Sequence, residues 1–480
     1  MKVHKSSAAA VHDDSGSFIA GKVKPVNIAP EPQVSIQGLD EGLKGKSEIN
    51  SAVSLSSSIN FPAAYVKYTA VNDDGREIFS EKADPKGSFT WSPQAKDNGK
   101  VTIRAAACDA SGSCYESSPV EVNVNVDKNV ELRGVSEGSD IKIPVTLWLS
   151  RNFEVDNTKY MLKNTRTGEE KSLFKADGYS SYEWFPEPES SGEWEVFAKV
   201  EDSSGETHST KPVKINVPSE PLVLLKDIGP DQVLANTVQL TAAANIPLDI
   251  IEFRLINPET GAEKVIAKGE NEDQEYSWTP AENDSGNRQI QAVGTMPSGR
   301  QVTSSAVPVE IYTGELYQPK PIVEKDRFLD FAAELAQESY KETEMSAALQ
   351  TAQAILETGW GQSIPVDKYT GKMSYNLFGI KGEGPAGTVT HNTWEEYNGN
   401  IFEVDAQFRA YNSVSESWKD HKQHLLTSSR YAPFREVMHN SVQGAWALKR
   451  AGYATDSQYP LKLIDIINRY NLHTLDKVKL

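Results

Sequence analysis

The sequence predicts a multidomain chain in which three all-β sandwich repeats are followed by a mainly α domain. Two observations carry that division. Trp91, Trp184 and Trp278 recur at spacings of 93 and 94 residues, in PheThrTrpSerPro, TyrGluTrpPhePro and TyrSerTrpThrPro. Past Pro321 the composition then shifts from Val and Thr towards Ala, Leu, Gln and Glu, with apolar positions at helical spacing.

Residues 1–30 are rich in Ser, Ala, Asp and Lys and close on AlaProGluPro, which reads as a flexible leader. Its apolar stretch, Ala8 to Val11, is too short for the core of a signal peptide, so export is expected either after removal of an earlier signal or by another route.

The repeats are placed at 31–126, 127–218 and 219–314. Two sets of turn glycines keep step with the tryptophans: Gly75, Gly168 and Gly261, then Gly112, Gly205 and Gly299. Alternating runs such as ValThrIleArgAlaAla and TrpGluValPheAlaLysVal are each followed by a Gly turn and a closing strand such as ValGluValAsnVal or ValLysIleAsnVal. About seven such strands fit each unit, the size of an immunoglobulin-like sandwich. The recurring Trp is then expected in the core or over one end of the sandwich, with sugar stacking as the alternative. The units loosely resemble the immunoglobulin-like and triple-tyrosine-type modules found in tandem on bacterial surface proteins.

Cys108 and Cys114, in CysAspAlaSerGlySerCys, are the two cysteines of the chain. So close a pair across a turn is either a small disulfide or two free thiols, and too few ligands for a metal site. The net charge of −18 is uneven: 18 Lys and Arg stand against 20 Asp and Glu from Lys320 onward, and 31 against 47 before it. An acidic body argues against nucleic acid as a partner. No apolar run approaches the ~20 residues of a membrane helix.

In the last segment, 315–480, one helix is expected from Phe328, with Phe331, Ala332 and Leu335 on its apolar face. A second runs from Glu344 to Glu357 and stops at Gly359, with Trp360 as a bulky apolar wall. Glu357 at that helix end is either a solvated charge or, if burial raises its pKa, a general acid. Further along come SerTyrAsnLeuPheGlyIleLys (374–381), ThrTrpGluGluTyrAsnGly (393–399), PheArgAlaTyr (408–411), SerTrpLysAspHis (417–421) and AlaGlyTyrAlaThrAsp (451–456).

With LeuGluThrGlyTrpGly these motifs make residues 325–475 resemble, in order and over their whole length, the glucosaminidase domain of glycoside hydrolase family 73, found in the flagellar rod hydrolase and in Gram-positive autolysins. The resemblance implies a lysozyme-like, mainly α fold with a small β-lobe, cleaving the β-1,4 bond after N-acetylglucosamine in peptidoglycan. It puts the catalytic acid on Glu357. Glycoside hydrolysis also needs a second carboxylate or the substrate's own N-acetyl group to stabilise the oxocarbenium-like centre. Glu395 and Glu396 lie in a stretch suited to a β-hairpin, where neighbouring side chains face opposite sides. The family's Thr-x-Glu-Tyr pattern selects Glu396, beside Tyr397. Tyr453 matches the family's cleft tyrosine, and Trp360, Asn376, Phe378, Tyr397 and Asp456 are placed at the substrate by motif.

Asp420, His421 and His424 could share a helix face, but no complete ligand motif accompanies them, so neither metal nor cofactor is expected. The expected partners are peptidoglycan glycan strands and, for the repeats, a cell-surface ligand, in an extracellular or wall-associated setting. The rival readings are an inactive wall-binding surface protein and a muramidase.

Overall fold

In the computed structural model, residues 10–12, 18–20, 30–39, 48–270, 275–397 and 400–477 are described, those at 10–12, 18–20, 393–397 and 400–402 by their backbone alone. The β-rich part precedes a helical domain, and the chain divides into two compact units, 1–93 with 99–124 and 94–98 with 125–480. Within the leader, Ala10–His12 pairs antiparallel with Phe18–Ala20.

In the first unit the strands run Glu48–Ile49, Val120–Val124, Gly99–Cys108, Tyr65–Asn72 and Glu77–Ala83 across one sheet, with Cys114–Glu116 also paired to Gly99–Cys108. A second sheet joins Val34–Gln37, Val53–Ile59 and Phe89–Trp91. Leu55, Val66, Tyr68, Ile103 and Trp91 are buried. Cys108 and Cys114 face each other directly in the ladder and are joined as a disulfide.

The second unit repeats that strand order twice. Ser139–Asp140, Val213–Val217, Gly192–Asp202, Val155–Asn164 and Glu170–Asp177 form one sheet, and Gln232–Leu234, Val307–Ile311, Gly286–Thr295, Ile250–Ile256 and Glu263–Gly269 the other. In all three sheets the first pair is parallel and the rest antiparallel. Strict alternation explains why these segments are strands: along Ile250–Ile256 every second side chain is buried, the period a sheet with one covered face requires. Trp184 and Trp278 sit in the two cores, 6% exposed each, and this burial leaves no face for a sugar. The turn glycines all have φ between 71° and 89°, which explains their register: the left-handed turn strains any residue with a Cβ.

The helical domain holds α1 (Phe328–Thr343), α2 (Ala347–Thr358), α3 (Val414–Thr427), α4 (Ala432–Arg435), α5 (Ser441–Arg450) and α6 (Tyr459–Arg469). Helix α2 is its axis, packed by α1, α5 and α6, with ten of its twelve residues buried. Its start is fixed twice over. Ser346 Oγ accepts from Leu349 N–H at 3.1 Å, and Asp476 accepts from the Ser346 hydroxyl at 2.8 Å and from Ala348 N–H at 3.1 Å. Gly359, at φ 56°, ends it in a left-handed cap whose N–H returns to Ile355 O. Between α2 and α3 an unbroken antiparallel hairpin pairs Thr388–Tyr397 with Asn400–Arg409.

Candidate active site

The cap at Gly359 leaves Glu357 in the last turn of a buried helix, on the wall of a cleft of about 400 Å³. Leu356 and Phe378 contribute apolar surface to that cleft, Tyr453 and Tyr459 bring hydroxyls, and His421 comes from α3. Glu357 keeps an exposed flank, yet the groups crowded around its carboxyl strip enough water to raise its pKa. One interaction opposes that rise: Tyr459 donates its hydroxyl proton to Glu357 Oε1 at 2.9 Å. The Tyr459 oxygen in turn accepts from Gln353 Nε2 at 3.1 Å. Gln353 is fully buried one helical turn before Glu357, so both address the same tyrosine from one face of α2.

Tyr453 arrives from the loop after α5. Lys449 Nζ donates to the carbonyls of Ala454 at 3.1 Å and Thr455 at 2.7 Å, and Tyr453 N–H bonds Leu448 O at 2.9 Å. The Tyr453 ring lies 5.7 Å from that of Tyr459, and its hydroxyl meets His421 Nε2 at 3.1 Å. Burial, followed by the charge on Glu357, pushes the phenol well above its ordinary pKa, so Tyr453 acts as a neutral donor or acceptor. His421 stacks on Phe378 with ring centres 3.8 Å apart, and burial lowers its pKa to about 3. It is a neutral imidazole at any pH near 7.

The other expected site residues divide. Phe378 lines the cleft but is 6% exposed and wedged against Trp418 and His421. Asn376 is 1% exposed, and its amide holds the loop: Nδ2 donates to Ile380 O and Arg409 O, while Oδ1 accepts from the N–H groups of Phe378 and Ile380. Trp360, at φ 65°, packs edge-on against Tyr470 at 4.8 Å and is not part of the cleft lining. The wall beside Glu357 is therefore built by tyrosines and not by Trp360. Asp456 is at the rim, bonded to Lys462 Nζ at 2.7 Å, a contact that lowers its pKa. Glu395, Glu396 and Tyr397 occupy consecutive positions of a hairpin strand, with Glu396 opposite Ile401, and their side chains lie outside the described residues. Tyr459 and Gln353 had no local sequence signal as partners of Glu357. A Tyr in the first turn of an amphipathic helix reads as packing.

The candidate metal group on α3 is dispersed. Asp420 accepts from the Tyr411 hydroxyl at 2.7 Å and pairs with Arg409 at 3.1 Å, while His421 turns to Tyr453. Among the described residues, a cluster with ligand-like spacing is Asp202, Glu206 and His208 in the second repeat. Lys128 Nζ already bonds Asp202 and Glu206 there, so an ammonium holds that place.

A sequence model of the glucosaminidase family, described as mannosyl-glycoprotein endo-beta-N-acetylglucosaminidase, matches residues 333–472, the helical domain with its hairpin. Residues 333–472 are a glucosaminidase-family domain. This glucosaminidase domain is similar to the peptidoglycan hydrolase FlgJ of Escherichia coli strain K12, 44% identical over 120 residues, which are 25% of this chain and 38% of that protein. It is also similar to the exo-glucosaminidase LytG of Bacillus subtilis strain 168, 33% identical over 181 residues, 37% of this chain and 61% of that one. Among solved structures, a glycoside hydrolase domain of Salmonella typhimurium FlgJ is 35% identical, covering 31% of this chain and 98% of its own, with a TM-score of 0.27. The chain thus spans less than half the length of FlgJ.

Proposed function

We propose that the glucosaminidase domain hydrolyses the β-1,4 bond after N-acetylglucosamine in peptidoglycan, with Glu357 as general acid. The observation that carries this reading is the geometry of a carboxyl on the cleft wall, hydrogen-bonded by Tyr459 and facing Tyr453, and the raised pKa that its crowding causes agrees with it. A protonated Glu357 gives its proton to the leaving glycosidic oxygen as the C1–O bond breaks. The positive charge growing at C1 is met by a second carboxylate or by the substrate's N-acetyl oxygen. Water then adds at C1 and its proton passes to a base in the cleft. Tyr453 serves by hydrogen bonding to the N-acetyl group or to that water, and Phe378 and Asp456 border the sugar.

The second carboxylate in this proposal is Glu396. Support comes from the register of the hairpin. Arg409, opposite Thr388 at its base, pairs with Asp420 of α3, and Ile380 beside Arg409 lines the cleft. Strand alternation without a register shift gives position 396 the face of Thr388 and position 395 the other.

The three β units are proposed to be immunoglobulin-like modules that carry the enzyme on the cell surface or bind a ligand there, which makes the protein extracellular or wall-associated. No helix of the described residues is long and apolar enough to cross a membrane. Mass spectrometry of purified peptidoglycan digested by the full chain tests the whole reading. Fragments ending in reducing N-acetylglucosamine support it, reducing N-acetylmuramic acid assigns a muramidase, and no turnover leaves a wall-binding protein. If the first two modules only carry or bind, deleting residues 31–218 lowers activity on whole walls more than on soluble glycan fragments.

A further inference from the structure

The junction between the third β repeat and the glucosaminidase domain is not a free linker. Tyr312, at its start, bonds back to Leu234 O of the repeat at 3.0 Å and sets its ring 4.6 Å from that of Tyr369. From there the segment is laced to the domain by backbone hydrogen bonds: Tyr317 N–H to Lys368 O at 2.9 Å, Lys320 and Ile364 to each other, and Ile322 N–H to Gly361 O at 2.9 Å.

The other side of residues 367–369 grips the hairpin. Asp367 accepts from Thr390 N–H at 2.8 Å, and Lys368 N–H donates to Thr390 O at 2.9 Å. Lys368 Nζ bonds Asn392 at 2.8 Å and one oxygen of Asp405 at 2.9 Å, and the Tyr369 hydroxyl takes the other oxygen of Asp405. Strand Gln232–Leu234 of the repeat also lies alongside the hairpin strand Asn400–Arg409. Asp405 stands opposite Asn392, four ladder positions before Glu396.

A two-stranded hairpin is marginally stable in water, so its aim depends on what holds its stem. Arg409 and Asp420 hold the stem on the α3 side. The stem is held further by Ile380 and Gly382, bonded to Arg409 and Gln407, and on its other side by Asp367, Lys368 and Tyr369, with the ring of Tyr312 of the third repeat packed against Tyr369. We propose that the third β repeat braces the hairpin of the glucosaminidase domain through Tyr312, Tyr369 and Asp405, making Tyr312 a positioning residue for the cleft. The effect on rate rests on the hydrolase reading above; the effect on the hairpin does not.

The test uses the full chain, with amide hydrogen exchange and steady-state kinetics on soluble glycan fragments. In Tyr312→Ala, exchange should quicken across residues 388–409 while α2 and α6 keep wild-type protection. The kcat should fall about 10-fold with KM nearly unchanged, the scale expected when a site group is displaced by under an ångström. Tyr312→Phe keeps the ring packed on Tyr369 and loses only the hydroxyl bonds to the carbonyls of Glu315 and Tyr369, so it should restore most of both readouts. Tyr369→Phe, which loses the bond to Asp405, should quicken hairpin exchange and lower kcat together while the helices keep their protection. Unchanged hairpin exchange in Tyr312→Ala and Tyr369→Phe overturns the brace, as does a loss of protection spread evenly over the helices. Faster hairpin exchange in a chain whose wild type cleaves no glycan supports the brace and removes the hydrolase reading.

Discussion

Tyr459 donates a hydrogen bond to Glu357 at 2.9 Å while the ring of Tyr453 lies 5.7 Å from its own, so the carboxyl of Glu357 has one fixed partner and one open flank. Two opposing effects follow. Crowding raises the pKa of Glu357, and the Tyr459 hydroxyl, which favours the ionised form, holds that rise in check.

The first prediction concerns Glu357 itself. Glu357→Gln keeps the shape but has no proton to give, and turnover of glycan should fall at least about 10²–10⁴-fold, the range of a lost acid or base. Stability should move the other way. A carboxyl whose folded pKa is raised contributes stability below its unfolded pKa and loses it as pH rises through the folded value. Thermal unfolding of the two proteins should therefore coincide near pH 4 and show the Gln variant more stable at pH 8. Equal stability at both pH values would show that the fold does not disfavour the charged carboxylate.

Tyr459→Phe tests the check on that pKa. Without the hydroxyl, Glu357 should titrate higher, and the alkaline limb of kcat/KM should shift to higher pH. The plateau rate should drop because the carboxyl loses its orientation. Gln353 Nε2 would also be left without its tyrosine partner in a buried site, at about 1–3 kcal/mol of stability. An alkaline limb that stays in place would mean that the hydroxyl orients Glu357 without tuning it.

The sequence displayed the parts of this site that depend on neighbours in the chain. The left-handed glycine after α2 and the apolar spacing of α1 are local signals and each matches an element of the structure, while outside the site the long tryptophan period marks one buried Trp in each β repeat. What closes the cleft is not local. Tyr459 is 102 residues from Glu357, and its hydroxyl could have faced solvent on any amphipathic helix. Trp360 shows the converse: its motif position is beside Glu357, but a positive φ sends the ring to Tyr470. Asn376 has a polar side chain suited to a sugar, but it closes a loop that no spacing rule describes.

His421 should make the domain acid-sensitive. Its pKa is held at about 3 by burial, against an ordinary value of 6.5. The unfolded chain binds a proton below 6.5 that the folded one refuses, so stability is present above that pH and declines as pH falls towards 3. The slope for one such group is about 1.4 kcal/mol per pH unit. His421→Gln should flatten this decline while lowering stability at pH 7 through lost stacking on Phe378. Denaturant unfolding between pH 4 and 7 measures both, and parallel declines in the two proteins would place the acid sensitivity elsewhere.

The two hairpin carboxylates give the sharpest contrast, because they are consecutive in a ladder that runs without a bulge from Thr388 to Tyr397. Alternation sends neighbouring strand residues to opposite faces, so at most one of them shares the face of Arg409 and Thr388. Glu396→Gln should cost about 10²–10⁴-fold in rate on soluble glycan, and Glu395→Gln should stay near wild type. Steady-state rates of both variants decide it, with hairpin hydrogen exchange as the control that neither has simply loosened the stem. If Glu395 is the severe position, the face that meets substrate is the one carrying Val389 and His391. If both are mild, no hairpin carboxylate takes part, and the N-acetyl group assisted by Tyr453 is left to stabilise the charge at C1.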